Sequence, residues 1–164
     1  MKTLLLLRHA KSSWQDSSLP DHDRPLKQRG IKTARRMGRL IRQQRLAPEV
    51  ILCSTAVRAV DTLRLVLEEA AIPTSVEYRQ NLYHCSPDEF LATLQGVNSE
   101  VGCVMLVGHN PGLEEWLQHL TGKAELMPTG ALARIDLNLE NWSVLDGNVA
   151  GHLVQLWRPR ELQD

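Results

Sequence analysis

Short apolar runs alternate along the chain with longer stretches in which apolar residues recur every three or four positions. Residues 3–7 form an apolar run that reads as a buried strand. Residues 26–46 place Leu26, Ile31, Ala34, Met37, Leu40 and Ile41 at helical spacing, and Pro48 closes that helix. Residues 50–53 give a second strand. Residues 55–70 give a second helix, with Val57, Val60, Leu63, Val66, Leu67 and Ala70 expected inward and Pro73 beyond it. A short third strand is expected at 75–78. Ser86-Pro87-Asp88-Glu89 is a helix start, with Ser86 as N-cap, Pro87 in the first turn and Glu89 completing a capping box. That helix runs to about Gly96. Residues 101–107 are a further strand, and Asn110-Pro111 opens a helix ending near Gly122. Beyond Pro128 the pattern changes to two strands, 131–139 and 151–157, with a turn at Asp146-Gly147-Asn148.

This βαβαβαβα order with a terminal strand pair predicts one α/β domain. Its three layers are a mostly parallel central sheet and helices on both faces. Such sheets bind ligands beyond the carboxyl ends of their strands. The residues there are Arg8, His9 and Lys11 after the first strand, and Ser54 and Arg58 after the second. Tyr83 and His84 follow the third, and Gly108, His109 and Asn110 follow the strand at 101–107. Two histidines and two arginines from distant segments thus meet at one edge.

Composition narrows the classes. With 164 residues, 43% apolar and 23% charged, the chain suits one soluble core. Aromatics are 4%, so that core is expected to be mostly aliphatic. No segment approaches the roughly 20 apolar residues that cross a bilayer. The start Met1-Lys2-Thr3-Leu4 imitates a secretion signal, but Arg8, His9 and Lys11 cut it short, and a cytoplasmic location is expected. Three cysteines without paired spacing fit a reducing compartment. Lysine and arginine equal aspartate and glutamate at 19 each, which argues against a nucleic-acid binder.

The convergent residues suit phosphoryl transfer without metal or cofactor. Two guanidiniums can neutralise a phosphoryl group. A neutral imidazole can attack phosphorus when its other nitrogen is held by a hydrogen bond. Helices starting after Ser54 and Asn110 would add positive dipole ends.

At these residues a family resemblance appears. Leu4-Leu5-Leu6-Leu7-Arg8-His9-Ala10 resembles the R-H-G signature of the histidine phosphatase superfamily, with Ala10 in place of Gly. Ser54 to Thr62 resembles its S-x-x-x-R-A-x-x-T segment, and Val107-Gly108-His109-Asn110-Pro111 its second-histidine segment. Arg8-His9-Ala10-Lys11-Ser12-Ser13-Trp14 and Asp21-x-x-Arg24-Pro25-Leu26 look more narrowly like SixA-type phosphohistidine phosphatases. The ordered set spans nearly the whole chain. It implies a phosphoglycerate mutase-like fold without a large cap. It also implies His9 as nucleophile, Arg8 and Arg58 on the phosphoryl oxygens, and His109 donating to the same group and protonated when phosphate is bound.

Many superfamily members add a carboxylic general acid. Asp16, Asp21, Asp23, Glu77 and Asp88 qualify here by type and none by motif. Imidazole, whose conjugate acid has a pKa of ~6.5, leaves more readily than an alkoxide. The implied activity is therefore removal of phosphate from phosphohistidine on a phosphotransfer protein. Alternatives are a small-molecule phosphomonoesterase at the same site, a mutase, and a silent phosphoprotein-binding module.

Other residues have plainer readings. Ser54 is first a helix N-cap. Tyr83 and His84 border the pocket or pack their loop. Lys11 is a candidate substrate contact, and Trp14 either touches substrate or anchors a loop. Cys53 and Arg58 have four residues between them, not the five of cysteine phosphatases, and Cys53 reads with Cys103 as a core thiol. His22, His84, His119 and His152 lack metal-ligand spacing. The stretch 24–45 holds nine basic residues and no acid. It is a solvated helix face or a docking surface for an acidic protein, with nucleic acid the lesser alternative.

Overall fold

Leu4, Leu5, Leu6 and Leu7 have no exposed surface, because their strand lies inside the sheet and is covered on both faces. In the computed structural model, which describes residues 1–148 and 150–163, this strand is β1 (Lys2–Arg8). Leu4 and Leu6 enter one core cluster, Leu5 and Leu7 the other, as the two-residue period of a strand requires. The remaining elements are α1 (Gln28–Gln43), β2 (Val50–Ser54), α2 (Val57–Ala70), β3 (Ser75–Arg79), α3 (Pro87–Gln95), β4 (Cys103–Gly108), α4 (Gly112–Thr121), β5 (Leu132–Leu137) and β6 (Gly151–Trp157).

The sheet order is β3-β2-β4-β1-β5-β6. The first four strands run parallel, and β5 lies antiparallel between β1 and β6. This is the expected α/β architecture, completed by the terminal strand pair. Helices α1 and α2 cover the face of Leu5 and Leu7. Helices α3 and α4 cover the other, where Phe90, Trp116 and Trp142 are fully buried among aliphatic residues. Among the described residues no helix is long and apolar enough to cross a membrane.

Glycines bring the helices close. A Cβ on Gly38 would lie 2.5 Å from the Val66 carbonyl oxygen, so α1 meets α2 backbone to backbone. A Cβ on Gly30 would lie 2.1 Å from the Lys11 carbonyl oxygen, where the loop after β1 rests on α1. That loop is pinned further by the Ser12–Leu26 bridge and by Lys27 N–H donating to Lys11 O at 3.1 Å.

Several details depart from the sequence pattern. Helix α2 buries Arg58, Ala59, Thr62, Leu63, Leu65, Val66 and Ala70, while Val57, Val60 and Leu67 are only half-buried. Its inward stripe is rotated because Arg58 and Thr62 turn toward the site, which apolar periodicity alone does not reveal. Ser54 is the last residue of β2 and not a cap: Ala56 occupies that position. Helix α4 begins at Gly112, after a cis Asn110–Pro111 bond. Strand β4 begins at Cys103, which is half-buried, not core. The Ser86–Glu89 capping box forms as expected.

Candidate active site

The parallel strands β1, β2 and β4 end side by side, and their next residues build the site. Arg8 closes β1 and is followed by His9. Ser54 closes β2, and His109 follows β4. Helices α2 and α4 each start three residues past Ser54 and His109, so their positive ends stand at this edge. Strand β5 starts here too: Gly130, at φ 82°, donates its N–H to the carbonyls of Arg8 and His9 at 3.2 and 3.0 Å. His9 N–H in turn donates to Gly108 O at 3.2 Å.

His9 is 6% exposed, and its Nδ1 lies 2.7 Å from the Ala10 carbonyl oxygen. A carbonyl only accepts, so Nδ1 carries the proton and Nε2 keeps its lone pair. Burial lowers the His9 pKa to about 4, with the charges of Arg58, Arg8 and Arg24 adding to the effect against the Ala10 bond. The ring is therefore neutral at physiological pH, as an attacking imidazole must be.

His109 is set by similar logic. Its Nε2 lies 2.8 Å from Ser54 Oγ, and that oxygen already accepts from Ala56 N–H at 3.2 Å. In the tautomer where the Ser54 hydroxyl donates to Nε2, the ring proton sits on Nδ1. Nδ1 is buried without a partner, as are Nε of Arg8 and Nε of Arg58. Three N–H donors without partners at one strand edge are suited to an anion's oxygens. Burial, then the neighbouring His9, Arg58 and His84, lowers the His109 pKa to about 3. In the ligand-free protein the ring is neutral, and its Nδ1–H can donate to a phosphoryl oxygen.

The arginines are fixed by different partners. Arg8 Nη1 donates to Met127 O at 3.0 Å. Glu114 and Asn110 hold that segment: Glu114 Oε1 accepts from Met127 N–H at 2.9 Å and from Asn110 Nδ2 at 2.8 Å. Arg58, 5% exposed, gives Nη1 to the Asp21 carbonyl at 2.7 Å and Nη2 to Asp21 Oδ2 at 3.0 Å. Its fork is thus occupied by the loop, and its Nε edge remains for a ligand. Thr62 Oγ1 donates to Arg58 O at 2.7 Å and accepts from Ala10 N–H at 2.9 Å, tying α2 to the loop after β1.

Of the five acids considered, Asp21 is the one hydrogen-bonded to site residues. Its carboxylate accepts from the Tyr83 hydroxyl, from Arg58 and, at 3.2 Å, from Arg24 Nε. The Tyr83 bond and then the arginines hold its pKa well below the usual carboxylate range, against the effect of burial. Asp21 is thus an ionised bridge, not a protonated acid. Asp16 bonds to Ser18, Asp23 to His22, and Glu77 to Arg79, while Asp88 lies in the first turn of α3. Arg24, 7% exposed and close enough to lower the His9 pKa, is a site arginine that strand-end reasoning missed. The Asp21-x-x-Arg24 spacing was its only signal.

Tyr83 borders the site, its ring 5.5 Å from His109, and His84 is exposed with its ring 3.9 Å from Tyr83. Lys11 is half-buried and enters through its backbone contacts with α1. Cys53 is fully buried, and burial pushes its thiol up to about 12, far from a nucleophilic thiolate. Among the described residues no three His, Cys, Asp or Glu side chains could together hold a metal ion. On α1, Arg35 and Arg39 pair with Glu68 and Glu69 of α2, and Arg36 donates to the carbonyls of Pro159 and Leu162. Part of the basic face therefore serves packing within the fold.

Comparison with known proteins agrees with this geometry. The sequence profile of the histidine phosphatase superfamily (branch 1) matches residues 4–86. The chain belongs to that superfamily. An uncharacterized protein of Mycobacterium leprae is 32% identical over 160 residues, covering 96% of this chain and 93% of that one. The structure is similar to that of a protein assigned as the phosphohistidine phosphatase SixA of Nakamurella multipartitia. The TM-score is 0.85 at 28% identity, over 96% of both chains. It also resembles the protein histidine phosphatase SixA complexed with tungstate, with a TM-score of 0.84 and 25% identity over 98% of this chain and 99% of that one. This superfamily member carries His9, Arg8, Arg58 and His109 together at one edge of its sheet.

Proposed function

We propose that the protein removes the phosphoryl group from phosphohistidine on a protein. The observation that carries this reading is the bonding of Asp21, whose carboxylate accepts from Tyr83, Arg58 and Arg24 and is thereby held ionised. The carboxylate bonded into the site cannot supply the proton an alkoxide leaving group demands. A phosphohistidine ring protonated on its other nitrogen departs as neutral imidazole and needs no such donor. The likeness to SixA structures supports the same choice.

In the proposed reaction His9 Nε2 gives its lone pair to phosphorus as the substrate P–N bond breaks. That bond's electrons stay on the departing imidazole. Phospho-His9, still protonated on Nδ1, is then a cationic ring held by the Ala10 carbonyl. Arg8, Arg58 and the His109 Nδ1–H bind the equatorial oxygens, whose charge rises in the transition state. Water attacks phosphorus next, the P–Nε2 bond breaks, and His9 leaves neutral as inorganic phosphate forms.

The test compares phosphate release from a phosphohistidine-bearing phosphotransfer protein and from p-nitrophenyl phosphate, without metal. Much faster release from the phosphoprotein, with an acid-labile phosphoenzyme lost in His9→Ala, supports the reading. Preference for the ester would overturn it in favour of a small-molecule phosphomonoesterase.

A further inference from the structure

Trp14 is 72% exposed, yet its ring is held in place. The guanidinium carbon of Arg24 lies 3.4 Å from the ring centroid. Arg24 itself is 7% exposed, bonded through Nε to Asp21 Oδ1 at 3.2 Å and through Nη1 to the Ser13 carbonyl at 3.4 Å. Asp21 continues the chain of contacts to Arg58. A buried, doubly bonded cation thus supports one face of an indole whose other face meets solvent. A loop anchor would be turned inward, as Trp116 and Trp142 are, with no exposed surface. A stray surface aromatic would not rest on a buried guanidinium tied to the site.

We propose that Trp14 is a docking contact for the protein that carries the phosphohistidine. This rests on the proposed function and adds how a protein substrate is told from a small one. The outer indole face takes an apolar side chain neighbouring the phosphohistidine. The Arg24 stack fixes the ring beforehand, so little side-chain freedom is lost on binding. Rigid Trp and Arg groups with large contact area are the usual anchors of protein interfaces. Because Trp14 reaches the phosphate arginines only through Arg24 and Asp21, it contributes to recognition and not to chemistry.

Two substrates separate these roles: a phosphohistidine-bearing phosphotransfer protein and free phosphohistidine. In Trp14→Ala, kcat/KM on the phosphoprotein should fall about tenfold or more, mostly through KM, as for loss of an interface anchor. On free phosphohistidine it should stay within about twofold, and Trp14→Phe should restore most of the loss. Circular dichroism confirms that the variants fold. An equal fall on both substrates would show that Trp14 merely props Arg24, and no fall on either would show that it contacts nothing. Either result overturns the docking role. Wild-type inactivity on both P–N substrates would instead overturn the proposed function, and the docking role with it.

Discussion

The rings of His9 and His109 lie 5.0 Å apart, tilted by 50°, and burial keeps both neutral at physiological pH. With pKa values of about 4 and about 3, neither ring should gain a proton between pH 8 and pH 5. NMR titration of the free protein should show both ring C–H resonances unmoved across that range. A midpoint near 6.5 for either ring would contradict the neutral, preorganised pair.

The same shifts predict how stability depends on pH. Both folded-state values are depressed below the unfolded value of 6.5, so the unfolded chain binds more protons between them. The stability attached to the neutral rings is fully present above 6.5 and falls as pH drops through 6.5 toward 4 for His9 and toward 3 for His109. Asp21, also depressed, adds a loss only below about 3.8. The Tm should therefore decline as pH falls from 6.5 to 4. Replacing both histidines by Ala should flatten that slope, and an unchanged slope would assign it elsewhere.

Ser54 decides where His109 keeps its proton. Ser54→Ala removes the hydroxyl hydrogen-bonded to Nε2, and a buried nitrogen loses its partner. Losing such a bond costs about 1–2 kcal/mol, so kcat/KM should fall about tenfold. The ring 15N shifts of His109 should move from one tautomer toward a mixture. A variant of full activity with an unchanged tautomer would remove Ser54 from the site.

The sequence order of strands and helices was legible because β1, β2 and β4 are buried apolar runs whose ends must deliver Arg8, Ser54 and His109 to one edge. The rotation of α2 was not legible. Arg58 and Thr62 are polar, and an apolar-periodicity reading assigns them outward although both are buried. Arg24 and Asp21 were marked only by their spacing and by residue type, and their place in the site was not legible for a related reason. They sit on a loop without periodicity, and only its tertiary contacts with Gly30, Arg58 and Tyr83 bring them to the site.

Asp21 holds Arg58, Arg24 and Tyr83 together, so its carboxylate should matter for ground-state binding. In Asp21→Asn the carbonyl bond to Arg58 Nη1 survives, since it comes from the main chain. The charge-assisted bonds weaken, and hydrogen bonds to charged groups contribute about 1.5–3 kcal/mol. KM should rise about tenfold or more, while kcat changes much less because Asp21 moves no proton. A kcat loss with unchanged KM would instead make Asp21 a participant in the chemistry.

Gly30 offers a test of the loop's seat on α1 that alters no side chain of the site. Alanine is the better helix former by about 1 kcal/mol, so in open space Gly30→Ala would stabilise the protein. Here the new methyl would lie 2.1 Å from the Lys11 carbonyl oxygen and 3.0 Å from Lys11 N, both backbone atoms that cannot swing aside. Overpacking of this kind costs about 1–3 kcal/mol, which outweighs the propensity gain. The loop should lift from α1, lowering Tm and, by displacing Asp21 and Arg24, raising KM. Gly96→Ala is the control: its Cβ meets Thr93 O at an ordinary 3.6 Å and its φ is −84°. That variant should match or exceed wild-type stability with unchanged kinetics. If Gly30→Ala did the same, the loop would not be seated on α1 at that point.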